Sequence, residues 1–277
     1  MTHDIRLDAY LQRIGYRGAC EPTLETLRGL HRQHPRRIAF ENLDPLSGRP
    51  VRLDPDSLQD KLVSRRRGGY CFEHNLLFAA VLRQLGFSVR GLAARVLWNR
   101  PAGTISPRTH MLLQVELDDG GYLADVGFGG LTLTAPLKLI ADIEQSTPHE
   151  DCRLVSRDDG FIVQARIRRE WQSLYWFDPQ EHLLPDYEMG NWYVSTHPES
   201  LFVNRLLAAR AAADCRHALL DNAYTVHRLD GASETRLLTS AAALREVLEK
   251  NFGISLADLP NPESLLNRLA TANQPER

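Results

Sequence analysis

The chain has few cysteines, and their spacing matches neither a metal cage nor a disulfide framework. The 277 residues include Cys20, Cys71, Cys152 and Cys215, with no Cys-x-x-Cys pair. This pattern argues against a structural zinc site and against a disulfide-stapled fold, and we expect no metal. A Walker-type or dinucleotide fingerprint is also missing, so nucleotide hydrolysis and NAD use have no support.

Long apolar runs and a strong charge of one sign are missing as well. No run approaches the length of a membrane-spanning helix, and the segment from Met1 to Arg6 has no hydrophobic signal core. The net charge of −2 gives no support for binding to nucleic acid or to an anionic membrane. We therefore expect a reduced, cytoplasmic protein with neither of these partners. The oligomeric state stays open.

One thiol stands in a setting that favours chemistry. Cys71 lies two residues after the pair Gly68-Gly69 and shortly before an apolar run of helical spacing, Leu76 to Leu85, which Gly86 ends. We expect Cys71 in the first turn of a buried helix, where unpaired N–H groups and the positive dipole end favour a thiolate. Glycine alone tolerates a positive φ without strain, so we expect the glycine pair to adopt a close turn that exposes the sulfur. The thiolate is the nucleophilic form, so the segment predicts a cysteine nucleophile.

Charged neighbours of this thiol have two interpretations. Arg65, Arg66 and Arg67 add positive charge upstream, yet Arg66 and Arg67, with the acidic residues Glu41 and Glu73, are more typical of structural ion pairs. A cysteine by itself is more often a small buried hydrophobic residue. A base within hydrogen-bond reach is therefore needed to support the catalytic interpretation.

A hairpin supplies a candidate base and a group to orient it. His110 begins the predicted strand His110 to Leu117, an Asp-Asp-Gly-Gly turn follows, and Tyr122 to Val126 forms the partner strand. Pairing places His110 and Asp125 at one edge, where the imidazole Nδ1–H is expected to bond the carboxylate. Such a histidine can accept the thiol proton. His74 is a rival base, and a strand-start histidine more often has a packing role.

Long motifs are spread along the chain, from about residue 5 to residue 257. They are Arg66-x-Gly68-Gly69-Tyr70-Cys71-Phe72-Glu73-x-Asn75, His110 before Leu112 to Val115, Asp125-Val126-Gly127-Phe128-Gly129, Phe40-Glu41-Asn42-Leu43, Asn191-Trp192-Tyr193 and Phe252 to Leu256. In the same order, these motifs resemble those of the arylamine N-acetyltransferase family. The resemblance implies that Cys71, His110 and Asp125 form a catalytic triad. It also implies a CoA-binding loop at Gly127, Gly129 and Gly130, and an aromatic acceptor pocket lined by Phe40, Phe128 and Phe202.

Residue patterns predict an α+β fold in three regions. Residues 1–87 read as mainly helical, with helices at Leu7 to Ile14, Thr23 to His34 and Ser57 to Val63. Residues 88–204 are dominated by strand signals. Residues 205–277 mix strands with helices, including one at Leu206 to Ala213. These regions agree with the domains that the resemblance implies: an N-terminal helical bundle, a central β-barrel and a C-terminal α/β lid, around a papain-like Cys-His-Asp core.

The resemblance implies acetyl transfer from acetyl-CoA to an arylamine or arylhydrazine nitrogen, by a ping-pong mechanism through acetyl-cysteine. Acetyl-CoA is then a co-substrate, and no permanently bound cofactor is expected. The backbone N–H of Cys71 is a candidate oxyanion donor. Two alternatives stay open: a cysteine protease or transglutaminase of papain-like architecture, and a non-catalytic binding protein. The physiological acceptor and the choice among acyl donors also stay open.

Overall fold

The computed structural model describes residues 5–101 and 103–271 and has an α+β architecture. The predicted helix Leu7 to Ile14 is confirmed, and Gly86 ends the helix that begins at Cys71, with φ of 87°. π-helical turns at Gln59–Ser64 and Val247–Asn251 extend two of the helices. The helices are α1 (Leu7–Ile14), α2 (Leu24–Arg37), α3 (Leu43–Leu46), α4 (Pro55–Leu58), α5 (Cys71–Gln84), α6 (Leu184–Thr196), α7 (Leu201–Asn204), α8 (Ala241–Glu246) and α9 (Pro262–Thr271).

The middle of the chain forms an eight-stranded antiparallel sheet that nearly closes into a barrel. In sheet order its strands are β5, β4, β3, β2, β9, β8, β7 and β6. The edge strands approach each other, because Lys138 N donates to Gln145 Oε1 at 2.7 Å and Gln145 Nε2 donates to Lys138 O at 2.9 Å. The strands are β2 (Ser88–Val96), β3 (Arg108–Leu117), β4 (Gly120–Ala124), β5 (Leu137–Lys138), β6 (Glu144–Gln145), β7 (Cys152–Arg157), β8 (Gly160–Ile167) and β9 (Glu170–Phe177).

A second sheet joins the two ends of the chain. Its order is β1 (Phe40–Glu41), β10 (Leu207–Ala211), β11 (Cys215–Leu220), β12 (Ala223–Arg228) and β13 (Ser233–Leu237). The predicted helix at Leu206 to Ala213 is wrong, because β10 is a strand there. Phe40 of β1 pairs with Ala209, and β11 pairs along the other side of β10. These distant partners override the helix propensity of the alanine-rich segment.

Residues 88–204, for which strands were predicted to dominate, also contain two helices. These helices, α6 and α7, come after the last strand of the barrel. Tyr187 and Val194 of α6 share one hydrophobic core with α1, α2 and α5. A separate core lies inside the barrel, and a third surrounds Phe252 in the C-terminal part. The domain boundaries near residues 87 and 204 stay predictions. Within the described residues, no helix has the length and apolar character needed to cross a membrane.

Candidate active site

Cys71 is the first residue of α5, and tight backbone approaches surround it. A Cβ on Gly68 would lie 2.0 Å from Ala39 O, and one on Gly69 would lie 2.6 Å from Glu73 Oε2. Neither glycine has a positive φ, so the predicted reason for the glycine pair is wrong: close packing demands it. The expected exposure of the sulfur is also wrong, since Cys71 is only 4% exposed. The nucleophile candidate is therefore held in a buried, closely packed position.

A buried ionic cluster lies behind the start of α5. Arg67 Nη2 is 2.8 Å from Glu41 Oε1, and Lys61 Nζ is 2.6 Å from Glu73 Oε1. The predicted structural ion pairs of Arg67, Glu41 and Glu73 are confirmed. For Arg66 the prediction is wrong, because this exposed side chain forms no ion pair within residues 5–101 and 103–271. The charge of Arg67 is neutralised by its carboxylate neighbours and adds little to the field at Cys71.

His110 and Asp125 meet at the same end of the β3–β4 hairpin. His110 Nε2 lies 2.7 Å from Asp125 Oδ2, and both side chains are buried. The expected bond through Nδ1 is therefore wrong, since Nε2 faces the carboxylate. Cys71 also interacts with His110, and its Sγ lies 3.5 Å from the backbone oxygen of the neighbouring Thr109. The thiol, the imidazole and the carboxylate thus lie together at one place.

Electrostatics favour the charged forms of this pair despite its burial. Burial alone would lower the pKa of His110, but the Asp125 charge and hydrogen bond, helped by Cys71, raise it to about 10. Burial likewise opposes ionisation of Asp125, and the His110 charge nonetheless holds the pKa of the carboxyl below its ordinary value. At neutral pH the site therefore contains an imidazolium paired with a carboxylate, which places a positive charge beside Cys71.

Further groups hold Asp125 in place, and sequence reasoning assigned no role to two of them. Asn75 Nδ2 donates to Asp125 Oδ1 at 3.1 Å, and Gly127 N donates to the same oxygen at 3.0 Å. His31 Nε2 accepts from Asp125 N at 3.1 Å. Asn75 lies four residues beyond Cys71, a spacing that places both on one helix face. His31 had no signal in the sequence because it comes from a distant helix.

His74, the rival base, is committed to a different network. His74 Nε2 lies 3.1 Å from Ala39 O, and because a carbonyl oxygen can only accept, Nε2 is the nitrogen that carries the proton. The other nitrogen of His74, Nδ1, therefore accepts a hydrogen bond from His34 Nε2 at 2.8 Å. His34 Nδ1 then accepts from the Tyr10 hydroxyl at 2.7 Å. Burial lowers the pKa of His74 to about 4. Its ring is neutral, with both nitrogens occupied, and is unavailable to Cys71.

The three candidate acceptor-pocket aromatics fall into two groups, and all are half-buried. Phe128 lies edge-on to His110 with ring centroids 5.0 Å apart. Phe40 and Phe202 are 5.9 Å apart, and Phe202 is 5.3 Å from Tyr70, the residue before Cys71. One group contacts the imidazole and the other adjoins the start of α5, so both border the candidate site.

The candidate CoA glycines have different surroundings. A Cβ on Gly127 would lie 2.9 Å from Cys71 Cα, and its N–H already bonds Asp125, so this glycine lets the hairpin approach α5. Gly129 has a φ of 87°, which favours glycine, while a Cβ on Gly130 would meet nothing within 4 Å. Gly130 is therefore open to solvent. Within the described part of the chain, no group of three or more His, Cys, Asp or Glu residues is placed to hold a metal ion.

Comparisons with known proteins agree on one family. The N-acetyltransferase family model matches residues 23–260. An arylamine N-acetyltransferase of Mycobacterium tuberculosis is 49% identical, covering 95% of this chain and 94% of its own, and one of Escherichia coli is 44% identical, covering 91% and 90%. The structure of a Mycobacterium marinum arylamine N-acetyltransferase in complex with CoA superposes with a TM-score of 0.91 at 46% identity, covering 95% of this chain and 99% of that one. The chain belongs to the arylamine N-acetyltransferase family and is an acyltransferase.

Proposed function

We propose that this enzyme transfers an acetyl group from acetyl-CoA to the nitrogen of an arylamine or arylhydrazine, through an acetyl group carried on Cys71. The observation that carries the proposal is that Cys71, His110 and Asp125 lie together, with a His110–Asp125 distance of 2.7 Å. The CoA complex of the M. marinum relative supports CoA as the donor's carrier. We also propose that the enzyme is located in the cytoplasm.

In the first half-reaction, the Cys71 thiolate attacks the thioester carbonyl carbon and forms a new S–C bond. The tetrahedral intermediate then collapses, and the C–S bond to CoA breaks. His110 gives its proton to the departing CoA sulfur, so free CoA leaves as a thiol. This step fits the structure, because the pKa of His110, raised to about 10, keeps the ring protonated until a strongly basic group appears.

In the second half-reaction, the arylamine nitrogen attacks the acetyl carbonyl carbon. Neutral His110 takes a proton from that nitrogen, and Cys71 leaves as a thiolate. The imidazolium–thiolate pair is thereby restored, with Asp125 supporting the positive ring in each cycle. The first half-reaction exchanges one thioester for another and is close to balanced in energy. The second converts a thioester into a more stable amide, so neither half-reaction is steeply uphill.

The surroundings of Cys71 supply the remaining parts. The backbone N–H of Cys71 opens a helix and lacks an intrahelical acceptor, so we assign it to the developing oxyanion. Gly129 and Gly130 are proposed to border CoA, while Gly127 positions Asp125. Phe128 beside His110, together with Phe40 and Phe202 near Tyr70, is proposed to hold the flat ring of the acceptor.

Steady-state kinetics test the two-step mechanism. We expect release of CoA, measured while both acetyl-CoA and an arylamine are varied, to give parallel double-reciprocal lines, because CoA leaves before the amine reacts. Intersecting lines would indicate direct transfer in a ternary complex and contradict the proposal. A panel of anilines and hydrazines in the same assay identifies the preferred acceptor class.

A further inference from the structure

Four arginines from separate segments converge on the side of the molecule where the N-terminal helices meet the second sheet. Arg13 comes from α1, Arg37 ends α2, Arg66 follows the first π-helical turn and Arg210 lies in β10. Arg13 Nη1 donates to Arg37 O at 2.6 Å, and its Nε donates to Leu62 O at 3.1 Å. The charges of Arg37, Arg66 and Arg210 all act on Arg13.

The C-terminal part of the chain contacts two members of this arginine cluster, Arg66 and Arg210. Ser255 N donates to Arg66 O at 3.1 Å. Arg210 Nη1 lies 3.6 Å from the position a Cβ would take on Gly253, which has a φ of 71°. The cluster is therefore assembled by the fold from both ends of the sequence, and no short motif encodes it.

The arginine cluster has a charge imbalance. Within residues 5–101 and 103–271, none of the four guanidinium groups forms an ion pair with a carboxylate, and the buried Nε of Arg210 has no hydrogen-bond acceptor. Burial and the other three arginines lower the pKa of Arg13 to about 10. Carbonyl groups at the ends of α1 and α2 supply partial negative charge. Among the four arginine side chains, only Arg13 bonds to carbonyl oxygens of the residues that the structure describes.

Neighbours on the second sheet leave this charge uncompensated. Burial raises the pKa of the Cys215 thiol and of the Tyr224 phenol, so both are neutral near pH 7. The carboxylate of Asp214 interacts with Arg36 and Cys215, and it is not among the charges acting on Arg210. A buried guanidinium N–H without an acceptor lowers the stability of the fold, and so does repulsion among like charges. An added anion would supply the acceptor and would also reduce the repulsion.

We infer that Arg13, Arg37, Arg66 and Arg210 form a binding site for a doubly charged oxyanion of the phosphate type. Guanidinium groups match phosphate oxygens in shape and charge, and several of them surround one dianion readily. The phosphate has two possible sources, free inorganic phosphate and the phosphate groups of CoA. The site lies next to the candidate active site, because Ala209 beside Arg210 pairs with Phe40.

Thermal unfolding with inorganic phosphate tests the site itself. We expect millimolar sodium phosphate to raise the unfolding temperature saturably above that in sodium chloride of equal ionic strength. Arg210→Gln should lose this increment, and it should be at least as stable as the natural chain in chloride because a like charge is removed. Arg268→Gln, an exposed charge on α9, is the matched control and should keep the increment. General salting-out stabilisation would appear equally in all three proteins and would not saturate.

Calorimetric titration then separates the two sources. If CoA supplies the phosphate, Arg210→Gln should weaken CoA binding at least several-fold and leave pantetheine, which lacks the phosphates, unaffected. If free phosphate is the ligand, the variant should lose phosphate binding and keep CoA binding. The inference is overturned if the natural chain shows no saturable phosphate effect and CoA binds both proteins equally. Because phosphate binding is measured without turnover, failure here is distinct from failure of the acetyl-transfer proposal.

Discussion

At the scale of single residues, Asp125 is the carboxylate that keeps His110 charged. Asp125→Asn keeps an oxygen near His110 Nε2 but removes the charge that raises the pKa of the imidazole. We expect a loss in kcat of about 10²- to 10⁴-fold, measured as arylamine-dependent release of CoA. Asp119→Asn, in the exposed turn of the same hairpin, is the control and should keep normal activity. A near-normal rate for Asp125→Asn would show that the triad assignment is wrong.

Thiol chemistry distinguishes Cys71 from the other cysteines. Burial raises the pKa of Cys152 to about 12 and also raises that of Cys215, so neither forms a thiolate readily. Iodoacetamide should therefore modify Cys71 first, and acetyl-CoA should protect it. A Cys20→Ser variant removes the exposed thiol, which would react only because the reagent can reach it. Peptide mapping of this variant then locates the label. Equal labelling of Cys152, or no protection by acetyl-CoA, would contradict this assignment.

At the scale of elements, the start of α5 depends on backbone contact at Gly68. A Cβ there would meet Ala39 O at 2.0 Å, whereas a Cβ on Gly130 would meet nothing within 4 Å. We expect Gly68→Ala to lower the free energy of unfolding by about 1–3 kcal/mol and Gly130→Ala to change it little. Urea unfolding of the two variants measures this difference. Equal stability of both would mean that the segment adapts without strain.

Elements were predictable from the sequence where local signals agree with the fold. α1 and α5 follow from apolar periodicity, and the glycine stop at Gly86 marks the end of α5. β10 did not, because Leu207–Ala211 is rich in helix-forming alanine and becomes a strand only by pairing with β1 and β11. The short strand β1 has no local signal of its own either. Sheet partners about 170 residues apart cannot be read from a local pattern.

The same distinction holds for the candidate site. Chain order and motif spacing pointed to Cys71, His110 and Asp125, and the hairpin register brings the last two together. The ring nitrogen facing Asp125 could not be predicted, because it depends on side-chain rotation. The role of His31 also escaped prediction, since it contacts Asp125 from 94 residues away. Sequence therefore identified the reactive groups, while their orientation is a property of the packed structure.

At the scale of the whole molecule, buried histidines make stability depend on pH. Burial lowers the pKa of His31 and His74 from 6.5 to about 4, and lowers that of His34 well below 6.5. The unfolded chain then binds more protons between pH 6.5 and 4, so stability falls as the solution is acidified through this range. Glu73 offsets the effect of one histidine. Burial raises its pKa from 4.5 to about 7, so in this range the folded chain binds a proton that the unfolded chain has lost.

On the alkaline side His110 reverses the slope. Its pKa rises from 6.5 to about 10 on folding, so its contribution is complete below pH 6.5 and is lost as pH rises through 10. Each proton difference changes the free energy of unfolding by about 1.4 kcal/mol per pH unit. Urea unfolding from pH 4 to 10 should show maximal stability near pH 7. A flat profile between pH 4 and 6.5 would contradict the neutral, buried state of the histidines.

The most direct test of the proposed chemistry is the mass of the intact protein after brief exposure to acetyl-CoA without an amine. We predict a gain of one acetyl group, mapped to Cys71, absent from Cys71→Ala and removed when an arylamine is added. A protein that stays unmodified, or that carries the acetyl group on another residue, would contradict the acetyl-cysteine mechanism.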